Sequence, residues 1–189
     1  MASTGIDDFK LILKEFRWLS IWSVGGATVP FAAALTELSP PWPSGIVFVT
    51  SIIQLITIAV SFQFFKEARR VTVNTILLIS LICFAGVGIA YLWNLSIYTY
   101  QVPTTNERFV KGNICTPDAL DLFGTRCPDL GLDELRQAEY EAERLWTKKS
   151  IATIRISLVF LWAMTFLFLS LLLGTFLVYQ TAQKGRRRR

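Results

Sequence analysis

The sequence predicts an all-α integral membrane protein: four transmembrane helices, with a helical extracytoplasmic stem between helices 3 and 4. Three observations predict it. Four long apolar runs lie at about residues 18–38, 45–65, 73–97 and 151–179. Each is long enough to cross a hydrocarbon core about 30 Å thick as a helix. Second, 52% of the 189 residues are apolar and 17% charged, with a mean hydropathy of +0.45, more apolar than a soluble domain of this length. Third, the short basic segments fall on one side of the runs.

That asymmetry sets the orientation. Lys10, Lys14, Arg17, Lys66, Arg69, Arg70, Lys184, Arg186, Arg187, Arg188 and Arg189 share one side if four helices cross. The other side carries seven Lys/Arg over a longer stretch, with nine acids in residues 101–150. The positive-inside rule places both termini in the cytoplasm, with the chain in a plasma (bacterial inner) membrane. Lys148 and Lys149, beside the fourth run on the outer side, run against the trend. The charged start leads straight into a run too long for a signal peptide, so the first helix is expected to be its own insertion signal. The expected organisation is 1–17, a cytoplasmic or interfacial helix; 18–99, helices 1–3; 100–149, the extracytoplasmic loop and stem; 150–182, helix 4; and 183–189, a basic cytoplasmic tail. This division leaves no room for a separate soluble domain with its own core.

In residues 6–17, Ile6, Phe9, Leu13 and Phe16 share a helical face. An interfacial helix and an early start to the first span both fit. Within the first span, Gly25, Gly26 and Pro30 predict a kink near Thr28, because proline removes a backbone donor and the glycines loosen the turn. The segment is a packing feature or a gating hinge. Pro40, Pro41 and Pro43 stiffen the outer turn that follows, with Trp42 at interface depth.

The second span carries the most informative interior. Thr50, Gln54, Thr57 and Ser61 are spaced four, three and four apart, which places four polar side chains on one helical face. An unsatisfied amide in hydrocarbon is costly, so the stripe needs partners or water. Either it bonds to neighbouring helices, or it lines a water-filled path in an oligomer. The third span carries small residues (Ala85, Gly86, Gly88, Ala90) and ends in the aromatic cluster Tyr91, Trp93, Tyr98 and Tyr100. Cys83 inside it reads as a packing residue.

In the outer loop, Cys115 and Cys127 are twelve residues apart and predict a disulfide, two free thiols being the alternative. Residues 133–149 are helical by composition, with Leu135, Ala138, Ala142 and Leu145 as a narrow apolar stripe. No breaker separates them from the fourth span, so one continuous helix over about 133–179 is expected. Its stripe must pack on the disulfide loop or on the same stem in another subunit. Arg155, the one charge in the fourth span, snorkels outward or stands at an outer pore mouth. Arg186, Arg187, Arg188 and Arg189 form a tail suited to anionic lipid or a cytoplasmic protein partner.

The chain has no histidine, and no carboxylate lies deep in any run, which argues against proton-coupled transport and metal sites. No phosphate loop or nucleophile–base constellation is present. The expectation is a non-enzyme with no cofactor and no direct nucleic-acid binding. The layout of a small first outer loop, short inner loop and large second outer loop resembles tetraspanins, but the large loop lacks their Cys-Cys-Gly motif. In size and layout the chain also resembles the small four-span membrane components of bacterial anti-phage defence systems, such as the Kiwa membrane subunit. That resemblance implies a homo-oligomer in the inner membrane, with a cytoplasmic partner, that senses infection or permeabilises the membrane. The expected function is a homo-oligomeric channel or membrane-permeabilising effector, expected as a tetramer, conducting along Thr50, Gln54, Thr57 and Ser61. The alternative is a non-conducting sensor or scaffold that signals to a cytoplasmic partner.

Overall fold

The structure is a computed structural model that describes Gly25 and residues 28–65, 68–103 and 107–186, without the side chains of 62, 178 and 180–186. The expected helix at 6–17, most of the first apolar run, Gly26, Lys66 and the end of the basic tail (Arg187, Arg188, Arg189) lie outside the described residues. So does the side chain of Arg186.

The described elements run in the order α1 (Val29–Leu35), α2 (Ile46–Phe65), α3 (Arg70–Tyr98), β1 (Thr99–Gln101), β2 (Arg108–Val110), α4 (Pro117–Phe123), a 3-10 turn (Gly124–Arg126), α5 (Leu132–Gln137), α6 (Ala142–Leu145) and α7 (Lys148–Arg186). Among the described residues, three helices are long and apolar enough to span a membrane: α2, α3 and α7. Of the first run the structure describes α1, seven residues long, with Pro30 in its first turn, where the missing N–H costs nothing. The chain divides into two compact units, one of Met1–Ser39, Val47–Ala85 and Thr165–Arg189, the other of Pro40–Ile46 and Gly86–Met164.

Many of the buried positions of the first unit are polar, and many of its exposed ones are apolar. Thr50, Ser51, Gln54, Ser61, Ser80, Ser170 and Thr175 are buried, while Phe48, Ile52, Ile56, Phe64, Leu78 and Ile82 are exposed. Water would reject that surface; hydrocarbon accepts it, and drives helices together through small residues and interhelical polar contacts instead. Each long helix buries one stripe. On α2 it is Thr50, Ser51, Gln54, Ile58 and Ser61. On α7 it includes Phe166, Ser170, Gly174 and Leu177, at a spacing of three or four.

The second unit holds a small core of its own. Tyr100, Val102, Cys115, Ala119, Leu130, Leu135, Ala138, Leu145, Trp146 and Ile151 are buried together. A disulfide joins Cys115 to Cys127, with Cα atoms 6.3 Å apart. The cross-link lets a segment of about fifty residues bury a core that its length alone would make marginal. The hairpin β1–β2 pairs antiparallel, Tyr100 opposite Phe109, directly off the end of α3. Thr116 caps α4 by accepting from the Ala119 N–H at 3.3 Å, and Pro117 follows in the first turn.

The continuous stem helix is not formed. Residues 133–179 are divided into α5, α6 and α7. Glu139 (φ 57°) and Tyr140 (φ 61°) are left-handed. The Tyr140 N–H donates to Leu135 O (2.7 Å) and the Glu139 N–H to Arg136 O (3.1 Å), the Schellman pattern that ends a helix. Trp146 then turns extended to pair with Cys115. The apolar stripe survives the break: Leu135, Ala138 and Leu145 are buried, Ala142 partly, and all pack in the core around the disulfide. Of the two partners expected for that stripe, the disulfide loop is the one it meets.

Candidate functional site

Two groups of residues carry chemistry, one in each unit. The first is the polar stripe of α2. Thr50, Gln54 and Ser61 are 3%, 1% and 3% exposed, so these residues sit inside the single chain. Thr57 is half-buried and donates its hydroxyl to Ile53 O at 2.8 Å. Ser51 does the same to Val47 O at 2.9 Å. On α7, Ser170 donates to Phe166 O and Thr175 to Leu171 O, both at 2.6 Å. These hydroxyls spend their protons on their own helices, which leaves their oxygens as acceptors. Among the described residues, neither Oε1 nor Nε2 of Gln54 has a hydrogen-bond partner.

Gly174 of α7 lies against α2. A Cβ placed there would fall 2.6 Å from the Ser61 Cβ and 3.4 Å from Ile58 O. Only glycine allows this approach, the use transmembrane helices make of small residues. Sequence reasoning missed Gly174 and the buried hydroxyls of α7, Ser170 and Thr175. A three-to-four-residue spacing of small residues, 170 to 174, was the signal available.

The second group ties the disulfide loop to the start of α7. The Thr116 N–H donates to Leu145 O (3.0 Å), and the Thr147 N–H to Ile114 O (2.9 Å). The Thr116 hydroxyl donates to Arg144 O (2.8 Å), the Ser150 hydroxyl to Ile114 O (3.2 Å) and the Trp146 indole to Pro128 O (3.1 Å). Trp146 is fully buried, and Gly112 lies so close to it that a Cβ would meet the Trp146 Cβ at 2.6 Å and also strike the Ser150 hydroxyl. Nothing in the local pattern marks Gly112, because its neighbours come from more than thirty residues away.

Beside this latch are two open grooves. One of about 280 Å³ is lined by residues that include Tyr98, Lys111, Asn113, Asp129 and Leu130, and one of about 500 Å³ by residues that include Tyr100, Gln101, Lys111 and Leu132. Lys111 lines both, its amine donating to Leu130 O at 3.3 Å. Tyr100 donates its hydroxyl to Tyr140 O at 3.0 Å. Burial raises the Tyr100 pKa above the usual phenol range, and the charge of Arg155 acts in the opposite direction. Arg155 is half-buried, and its Nε is enclosed with no partner among the described residues. Of the hinge residues, Gly25 is helical and exposed and Pro30 is buried, with a turn at Thr28 between them. Among the described residues no cluster of His, Cys, Asp and Glu is arranged to hold a metal ion.

The described architecture defines a class: a mostly helical protein with three helices long and apolar enough to cross a membrane, and a disulfide-closed subdomain inserted between α3 and α7. No protein family matches the chain, and no curated protein or solved structure shows a significant likeness to it.

Proposed function

We propose that this chain is an integral membrane sensor or scaffold whose disulfide-closed subdomain is displayed outside the cytoplasm as its recognition element. In this reading the first apolar run is a fourth span, both termini are cytoplasmic, and the basic tail engages anionic lipid or a cytoplasmic protein. The observation that carries it is the latch. A subdomain with its own core and two grooves is bonded through Ile114, Thr116 and Pro128 to the residues that lead into α7. α7 then runs without interruption from Lys148 to Arg186, joining the recognition element to the basic tail. The burial of Thr50, Gln54 and Ser61 within one chain supports the same reading, since a stripe that walls a pore between subunits would face outward.

Ion flux from liposomes holding the purified protein tests this. A sensor keeps the gradient in both the wild type and Gln54→Leu. A second reading, the homo-oligomeric channel or permeabilising effector, is favoured by one observation: the Gln54 amide without a partner among the described residues. It predicts flux in the wild type that Gln54→Leu alters, and that result would replace the first reading.

A further inference from the structure

The groove of about 280 Å³ opens at the end of a membrane helix. Ile97 and Tyr98, on its wall, are the last two residues of α3, one of the three helices long and apolar enough to span a membrane. A wall made from the end of a span stands where hydrocarbon gives way to headgroups, the depth that tyrosine favours. The lining also includes Lys111 and Asp129, one charge of each sign.

These two charges do not spend themselves on each other. The Lys111 amine donates to Leu130 O at 3.3 Å, beside Asp129 in the chain. No ion pair joins Lys111 to Asp129 among the described residues. An ammonium has three donors, so two remain for a ligand, while the exposed Asp129 carboxylate only accepts. A simple anion would be drawn by Lys111 and repelled by Asp129, and a simple cation the reverse. A molecule with a phosphate and a primary ammonium a few bonds apart satisfies both.

Along α3 the fit continues. Ile89, Trp93 and Ile97 stand four residues apart on one helical face and are 68%, 68% and 43% exposed. This apolar ridge runs into the groove at Ile97. The groove falls just short of the roughly 300 Å³ at which pockets for drug-sized ligands begin, a size suited to a headgroup whose chains stay outside.

We propose that this groove holds the headgroup of an ethanolamine-type phospholipid, its phosphate on Lys111 and its ammonium on Asp129, with an acyl chain along Ile97, Trp93 and Ile89. The proposal rests on the reading of the subdomain as a recognition element and names what one groove takes. The two fail separately, since ion flux bears on that reading alone and lipid preference on the groove alone.

Native mass spectrometry of the full chain in detergent, with phosphatidylethanolamine and phosphatidylglycerol added in equal amounts, tests this. The wild type should carry the ethanolamine lipid over the glycerol lipid by about fivefold, as one exposed charge pair allows. Asp129→Asn should bring the two lipids level with glycerol-lipid binding retained, which an unfolded subdomain would not show. Lys111→Ala should weaken both. Glycerophosphoethanolamine, the headgroup without chains, should bind on the order of a hundredfold more weakly than the lipid. Equal binding of the two lipids by the wild type, or a preference that survives Asp129→Asn, overturns the proposal. So does a chainless headgroup that competes as well as the lipid, because the ligand is then a soluble zwitterion.

Discussion

Three residues in the disulfide-closed subdomain make separable demands on their neighbours. Gly112 has no space for a Cβ, because one obstacle, the Trp146 Cβ, is fixed to backbone and cannot swing away. Gly112→Ala should destabilise the subdomain by about 1–3 kcal/mol, read as faster proteolysis of the 99–147 segment. Glu139 is the opposite case. It occupies, with φ 57°, the helix-ending position that glycine normally holds, at a cost of about 1–2 kcal/mol. Its ion pair with Arg144, at 3.0 Å, is exposed on both sides and adds little. Glu139→Gly should therefore stabilise by about 0.5–1 kcal/mol in a denaturant titration, and a loss of stability would contradict this account. Glu134 supplies a pH dependence. Its own backbone N–H holds the carboxyl below the usual range, with further help from the Gly131 N–H at 2.9 Å and Arg126 at 2.9 Å. A depressed folded-state pKa means the stabilisation is present above the ordinary carboxylate value and is lost as pH falls through the lowered one. Protease resistance should fall on acidification across that window in the wild type and change less in Glu134→Gln.

At the scale of elements, α2 and α7 are held by fit rather than by any hydrophobic advantage, since lipid is as apolar as the helices. Gly174→Ala should force the pair apart and cost about 1–3 kcal/mol, because its Cβ meets another Cβ. Ser61→Gly removes that obstacle, so the double variant should recover most of the loss; simple additivity of the two effects in a thermal scan would show that the helices do not meet there. The polar stripe of α2 was legible from its spacing alone. What it faces was not, because period four places residues on one side of a helix without saying what lies on that side. The break after Ala138 was also hidden: residues 133–149 contain neither Gly nor Pro, and local propensity favours a helix throughout. The left-handed turn at Glu139 and Tyr140 forms because it lets Tyr140 O receive the Tyr100 hydroxyl and brings Trp146 beside Cys115.

For the whole molecule, the disulfide and the membrane are the two constraints. Cys127→Ser should destabilise the subdomain by about 2–4 kcal/mol, as expected for a loop of this size. Membrane helices should stay inserted in that variant, which circular dichroism in lipid and carbonate extraction can check. The proposed orientation is tested by labelling. In intact cells, cysteines introduced near position 120 should react with a membrane-impermeant maleimide, and those introduced near residue 68 should not. Labelling at both positions would overturn the proposed orientation.

Composition and run length by themselves determined that long helices here are built for hydrocarbon, because the transfer energy of some twenty apolar residues outweighs anything their order can do. Cysteine spacing in a polar loop pointed to the cross-link, and the structure decided for it over two free thiols. Tertiary structure alone decided that the loop closes into a core, that Trp146 and not a continued helix precedes α7, and that the α2 stripe turns inward. These outcomes depend on contacts between residues such as Gly112 and Trp146, Tyr100 and Tyr140, or Ser61 and Gly174. Such partners lie dozens of positions apart, and no local period records their meeting.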